Sequence, residues 1–118
     1  MDIIPGNHDT YFKNTNELNS LKECLGHYMN EIHIIMEPTV MEYGSLKMAL
    51  LPWICQDNYD KSMNFIRECK ADWLGGHLEL ANFEMQRGII QPHGMNHKLF
   101  DKFEMVMSGH YHVASQKD

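Results

Sequence analysis

Three short polar clusters, each beginning with a glycine, constrain the fold of this sequence more than any other feature. They are Gly6-Asn7-His8-Asp9, Gly76-His77-Leu78-Glu79 and Gly109-His110-Tyr111-His112. Each cluster follows a short apolar run that is typical of a β-strand. Because glycine lets the backbone turn sharply, the side chains after it project from the rim of a sheet. Separate strands can therefore aim these polar side chains at one point.

The remaining pattern predicts an α/β layered fold in one domain. Strand-like runs lie at 2–4, 32–36, 39–43, 46–53, 72–76 and 104–108, and helical periodicity lies at 16–25 and 58–69. The runs between 32 and 53 read as a meander, 82–96 as a surface loop, and 97–103 as one or two helical turns. Folds of this class place ligand sites just past strand ends, where the polar clusters lie.

Charge and composition exclude some function classes. At 118 residues and a net charge of −6, the chain is unlike a free-standing DNA-binding module, which carries basic stripes. The acidic composition is compatible with a nuclease, since bound divalent cations can attract the phosphodiester. The cysteines at 24, 55 and 69 show no CxxC spacing, and no apolar run is long enough to cross a membrane. These features predict a soluble protein of the cytoplasm, with reduced thiols and no membrane association.

The donor types in the clusters indicate a metal site. Imidazole nitrogen and amide oxygen suit manganese, iron or zinc better than calcium, which prefers oxygen ligands. His110 and His112 lie two positions apart, so in an extended segment they would reach two neighbouring ions more easily than they would chelate one. Phosphoesterases with two metals use ions about 3.5–4 Å apart to clamp the attacking and leaving oxygens. His27, His33 and His97 belong to no cluster, and we expect them to be surface or core residues.

The order GNHD, GH and GHxH resembles the second half of the signature of calcineurin-like metallophosphoesterases. "LLPWIC", "GGHLEL" and "SGHYH" are most similar to phage recombination nucleases and to SbcD-type nuclease subunits, and the resemblance covers essentially the whole chain. It implies a layered β-sandwich flanked by helices, a DNA exo/endonuclease role in recombination and repair, and two divalent cations, preferably Mn²⁺. It also implies DNA, an SbcC-type ATPase subunit and a second copy of the chain as partners, in a bacterial or phage-infected cytoplasm.

The resemblance also assigns roles to single residues. It makes Asn7, His77 and His110 ligands of the second metal and His112 a ligand of the first. It makes His8 the catalytic histidine, with Asp9 placed to orient it. A histidine kept off the metals is free to act as a general acid, and a carboxylate behind it fixes its tautomer.

Two weaker assignments concern the segment after GNHD. Lys13 is a candidate DNA phosphate contact, although a lysine in such a place is more often simply solvated. Leu18, Leu21 and Leu25 recur at helical spacing and are expected either in the core, which is the favoured interpretation, or in a homodimer interface.

The sequence departs from the family signature at its start. The signature begins with DxH and GD, yet no Asp here is followed two positions later by His, and none follows a Gly. The first metal would keep only His112, so we expect residues 1–118 to be a single incomplete domain that is inactive alone. Two alternatives remain open: another metallophosphoesterase, acting on a phosphomonoester or cyclic nucleotide, or a scaffold of this fold without catalysis.

Overall fold

The computed structural model describes residues 1–82, 84–86, 89–90 and 93–111. Within these residues the chain is a mixed α/β protein, as the sequence predicts. The strands are β1 (Asp2–Ile3), β2 (His33–Ile34), β3 (Thr39–Tyr43), β4 (Leu46–Leu51), β5 (Trp73–Gly76), β6 (Glu84–Gln86), β7 (Ile89–Ile90) and β8 (Met105–Ser108). The helices are α1 (Ser20–Leu25) and α2 (Tyr59–Glu68), with short 3₁₀ turns at Gly26–Tyr28, Gln56–Asn58 and His97–Phe100.

A four-stranded sheet in the order β3-β4-β5-β8 forms the centre of the fold. β3 and β4 are an antiparallel hairpin around Gly44, which has the positive φ of 66° that its turn requires. β4, β5 and β8 are parallel to one another. Parallel strands bring their carboxyl ends to the same edge, so the sheet fixes where the residues after β5 and β8 lie.

The core lies against the buried ends of these strands. Leu51, Leu74 and Leu78 are each 0% exposed, and Ile66 of α2 packs with them. α2 places apolar side chains on one face, as the periodicity of 58–69 predicts, so its packing onto the sheet removes that face from water. The strands at 39–43, 46–53, 72–76 and 104–108 are therefore confirmed to within a few residues.

The first helix is shorter than the sequence indicates. It begins at Ser20 rather than near residue 16, because the Asn19 side chain accepts a hydrogen bond from the Lys22 N–H at 2.9 Å and caps the helix there. Asn16 instead turns inward and donates from Nδ2 to the Trp53 carbonyl oxygen at 2.7 Å. No residue of α1 is buried, and Leu18 just before it is 41% exposed. The expectation that the three leucines belong to the core is wrong.

Two other expectations need correction. The run at 32–36 does not join a meander, because β2 pairs in parallel with β1 in a separate two-stranded sheet. The segment 82–96 is not all loop, since β6 and β7 pair antiparallel within it. Among the described residues the sheets are one of four strands and two of two strands, so the metallophosphoesterase sandwich stays a prediction. No helix in the described part of the chain is long and apolar enough to span a membrane.

Candidate metal centre

The candidate metal centre lies at the carboxyl edge of the parallel strands. The last residues of β4, β5 and β8 are in register, with Leu51 opposite Gly76 and Gly76 opposite Ser108. His77 follows β5 directly, and His110 follows β8 after one glycine. The Gly109 N–H donates to the Gly76 carbonyl at 3.1 Å, so the two backbone segments stay paired at the ends of β5 and β8. The histidines are therefore neighbours because the sheet aligns them.

The loop after β1 brings a third donor to the same point. Asn7 Oδ1 lies 2.8 Å from His77 Nε2, and His110 Nδ1 lies 3.1 Å from the same nitrogen. One proton on His77 Nε2 can be directed at only one of these two neighbours. A cation accepts lone pairs from all three atoms at once, so this arrangement of Asn7, His77 and His110 fits a metal at least as well as a hydrogen-bond chain.

The spacing of the three donor atoms, which we call the NHH cluster, also fits a first-row metal. Metal–nitrogen bonds of about 2.0–2.1 Å place adjacent donors in octahedral coordination about 3 Å apart. The separations of 2.8 and 3.1 Å match that value. The structure thus brings together Asn7, His77 and His110 as the sequence predicts, and their role as metal ligands stays a prediction.

The NHH cluster lacks a carboxylate. Among the described residues no group of three or more His, Cys, Asp or Glu side chains could hold a metal ion. Two neutral imidazoles and one neutral amide attract a divalent cation less than a set that includes Asp or Glu, because ligand charge raises affinity. His112, the fourth predicted ligand, lies outside the described residues. The donor set alone would hold a cation weakly.

A glycine makes room for the His77 ring. A Cβ atom on Gly6 would lie 2.9 Å from Nδ1 of that ring, closer than such atoms approach one another in proteins, and 3.0 Å from Cε1. Gly6 is buried and stands directly before Asn7. The glycine of the GNHD motif therefore lets the β1 loop pack against the ring face, in addition to permitting a turn.

Asp9 organises the loop that carries Asn7. Its Oδ2 accepts the Gly6 N–H at 2.8 Å, and its Oδ1 accepts the Ser20 hydroxyl at 3.2 Å. The Ser20 N–H donates to the Asp9 carbonyl at 2.8 Å, which ties the loop to the start of α1. No hydrogen bond joins Asp9 to the His8 ring within the described residues. Its carboxylate holds the loop, and the predicted role in orienting His8 finds no contact in its favour.

His8 and Lys13 both lie on the surface. His8 is exposed, between Asn7 and Asp9, with its ring outside the NHH cluster. The role of His8 as the catalytic histidine stays a prediction. Lys13 is exposed a few residues further on. His27, His33 and His97 are exposed as well, in agreement with the expectation that they are surface or core residues.

Trp53 is a residue of the site that the sequence reasoning missed. Its indole is stacked on the His110 ring at 5.8 Å between centroids and meets the His77 ring edge-to-face at the same distance. The backbone N–H of Trp53 donates to the Pro5 carbonyl at 2.9 Å, and this bond joins the segment after β4 to the β1 loop. Its position two residues after a buried parallel strand was the available signal, because the clusters that carry His77 and His110 follow strands of the same sheet.

Two hydroxyl groups brace the segments that carry the histidines. The Ser108 hydroxyl accepts the Leu78 N–H at 3.0 Å and donates to the Leu78 carbonyl at 2.9 Å. The Tyr111 hydroxyl likewise accepts the Leu80 N–H and donates to the Leu80 carbonyl at 2.5 Å. Burial raises the pKa of Tyr111, which keeps the phenol protonated and able to donate. These bonds restrain the backbone on both sides of the NHH cluster.

Comparison with known proteins finds a phage exonuclease subunit among the relatives of this chain. The chain is 31% identical over 116 residues to exonuclease subunit 1 of Enterobacteria phage T4, an alignment that covers 98% of this chain and 34% of that protein. No protein family model matches the sequence, and no solved structure does. The chain spans about a third of the length of this curated relative. It is a distant homologue of part of a phage exonuclease subunit.

Proposed function

We propose that this chain forms one metal-binding part of a DNA nuclease that hydrolyses phosphodiester bonds. The convergence of Asn7, His77 and His110 from three chain segments carries the proposal, with separations of 2.8 and 3.1 Å. The similarity to a phage exonuclease subunit supports a nuclease over other phosphoesterases. Nitrogen and oxygen donors in this proportion suit Mn²⁺, with iron, zinc or magnesium as alternatives.

Each exposed group of the β1 loop has a task in this proposal. A divalent cation held by the NHH cluster would supply Lewis-acid neutralisation of phosphate charge. His8, adjacent to Asn7 and exposed, gives a proton to the leaving oxygen as general acid. Lys13 contacts a neighbouring DNA phosphate, where its ammonium needs no fixed geometry. Asp9 keeps the loop in the shape that presents His8.

The complete reaction requires more than these residues. In the proposal the other cation, which is the first metal of the family signature, would be held by His112 together with residues of the DxH and GD type, which this sequence does not contain. The relative of which the chain spans a third is itself named a subunit. We therefore propose that activity in DNA recombination and repair needs further polypeptide, including an SbcC-type ATPase subunit. We also propose that the exposed Leu18, with the half-buried Leu21 and Leu25 of α1, contributes to a homodimer.

DNA binding tests the proposal directly. The chain carries a net charge of −6, so without a cation it should repel DNA. We expect a short labelled duplex to bind, by fluorescence anisotropy, with Mn²⁺ present and not with EDTA. His77→Ala should weaken binding at least about tenfold, while His97→Ala, which removes an exposed histidine outside the site, should not. Equal binding in Mn²⁺ and EDTA would overturn the proposal.

A scaffold without catalysis is the second candidate. It is favoured by the missing DxH and GD pairs and by the absence of a carboxylate in the NHH cluster. In that case Asn7, His77 and His110 form a hydrogen-bonded network that stabilises the fold. His77→Ala would then lower the melting temperature equally with and without Mn²⁺, whereas a metal site predicts that Mn²⁺ stabilises only the unsubstituted protein.

A further inference from the structure

A small pocket opens beside the NHH cluster, and His77 belongs to both. The pocket has a volume of about 170 Å³, and the residues that line it include Trp53, Ile54, Tyr59, Glu79 and Met95. Ligand pockets for drug-sized molecules measure about 300–1,000 Å³. This pocket is therefore large enough for one flat ring system and too small for a whole nucleotide.

The lining is aromatic and apolar. Trp53 follows β4 and Tyr59 begins α2, so two rigid elements each position an aromatic residue at the pocket. Tyr59 is 51% exposed, which leaves much of its ring accessible from solvent. Ile54 and Met95 pack against the hydrophobic core and contribute apolar surface. Aromatic rings in such a setting stack on the faces of nucleobases.

The charges around the pocket orient a ligand. Glu79 is an acidic residue among those that line the pocket, and a carboxylate near the pocket disfavours a phosphate inside it. The NHH cluster, which shares His77 with the pocket, is where the proposed function places the phosphate. A nucleotide would thus enter with its phosphate at the cluster and its base toward Trp53 and Tyr59.

We propose that this pocket binds one nucleobase of the DNA strand, next to the phosphodiester held at the NHH cluster. This inference rests on the proposed function, which supplies the phosphate position. It adds a means of selecting substrate, because a nucleotide with a base gains stacking that a bare sugar phosphate does not. The class of ligand is a deoxynucleotide with an intact base.

A single tryptophan can report on the pocket. Trp53 and Trp73 are the tryptophans of the chain, and Trp73 begins β5 while His77 follows its end, about 13 Å away along the strand. In a Trp73→Phe background we would titrate deoxyadenosine 5′-monophosphate and 2-deoxyribose 5-phosphate, each with Mn²⁺ and with EDTA. Fluorescence would locate the ligand, and calorimetry would give both affinities.

We expect the nucleotide to quench Trp53 and to bind at least about fivefold more tightly than the sugar phosphate, the lower end of what stacking one base contributes. Tyr59→Ala should remove most of that difference and leave the sugar phosphate unaffected. Tyr28→Ala is the matched control, since Tyr28 is similarly exposed at 55% and lies outside the pocket wall.

The outcomes separate the inference from the proposed function. If both ligands bind alike and require Mn²⁺, the nucleobase pocket is wrong and the metal-dependent phosphate site stands. If the nucleotide is preferred but Mn²⁺ and His77→Ala change nothing, the pocket stands and the metal site is wrong. If neither ligand binds, both are wrong.

Discussion

Asn7 Oδ1 and His77 Nε2 lie 2.8 Å apart although 70 residues separate them in the chain. The contact joins the loop after β1 to the end of β5, two strands that belong to different sheets. Local sequence preference cannot produce such a pairing, so packing of the two sheets must hold it. Groups that hold the β1 loop against His77 therefore control both the stability of this contact and the proposed binding of a metal ion there.

Gly6→Ala should disturb the His77 ring. The added Cβ would meet Nδ1 of that ring at 2.9 Å, so ring or loop must move. We expect the free energy of unfolding to fall by about 1–3 kcal/mol, the usual effect of overpacking, and Mn²⁺ affinity to fall with it. Gly26→Ala is the control, since a Cβ there meets nothing within 4 Å. Equal effects of the two substitutions in urea denaturation and Mn²⁺ titration would refute the close packing.

Asp9→Ala should loosen the loop that presents Asn7. It removes acceptors for the Gly6 N–H and the Ser20 hydroxyl, and we expect a loss of about 1–2 kcal/mol of stability. Glu17→Ala, on the exposed segment before α1, should change stability by less than about 0.5 kcal/mol. Amide hydrogen exchange at Gly6 should accelerate only in the Asp9 variant; unchanged exchange there would contradict the role in the loop.

The contact between Asp2 and Tyr43 should make stability depend on pH. Tyr43 Oη donates to Asp2 Oδ2 at 2.5 Å, and this bond, with weaker help from His33 and the terminal amino group, holds the pKa of Asp2 below 3.8. The same bond raises the pKa of Tyr43 from 10.0 to about 12. The bond needs an ionised carboxylate and a protonated phenol. Its contribution is therefore complete between pH 3.8 and 10.0, falls away in acid as pH drops through the lowered pKa of Asp2, and falls away in base from pH 10.0 to about 12.

Tyr43→Phe tests this dependence. Urea denaturation of both proteins should differ most between pH 3.8 and 10.0, and the difference should shrink on either side. The pKa of Asp2, followed by NMR, should rise toward 3.8 in the variant. A stability difference that stays constant from acid to base would show that the hydroxyl acts through packing alone.

The 118-residue chain alone should hydrolyse a bis-aryl phosphodiester negligibly, since it lacks the DxH and GD carboxylates that a second cation would need. The measurement is release of the aryl alcohol with Mn²⁺ present. Manganese-dependent turnover that His8→Ala abolishes would contradict this expectation, and would show that one cation and His8 suffice.

The sequence predicted the elements whose signals are local. The strands that end at Gly76 and Ser108 were recognisable because each apolar run stops at a glycine before a polar cluster. That the two histidines are neighbours followed from the parallel pairing of those strands.

Tertiary contacts decided what the sequence reasoning missed. The start of α1 moved to Ser20 because the Asn19 side chain caps it and Asn16 bonds to Trp53. β2 pairs with β1, although the paired residues Asp2 and His33 are 31 positions apart in sequence. The second hydrogen-bond donor to the Asp9 carboxylate is the Ser20 hydroxyl. The Asn19 cap is a local signal, but the other pairs lie 11 to 37 residues apart in sequence, so periodicity and propensity do not report them.

The most direct measurement is Mn²⁺ binding followed by the loss of the free Mn²⁺ signal in electron paramagnetic resonance. The unsubstituted chain should bind one Mn²⁺ weakly, and His77→Ala should reduce the affinity at least about tenfold while circular dichroism shows an intact fold. His97→Ala should bind as the unsubstituted chain does. If His77→Ala and the unsubstituted chain bind Mn²⁺ equally, the NHH cluster is not a metal site.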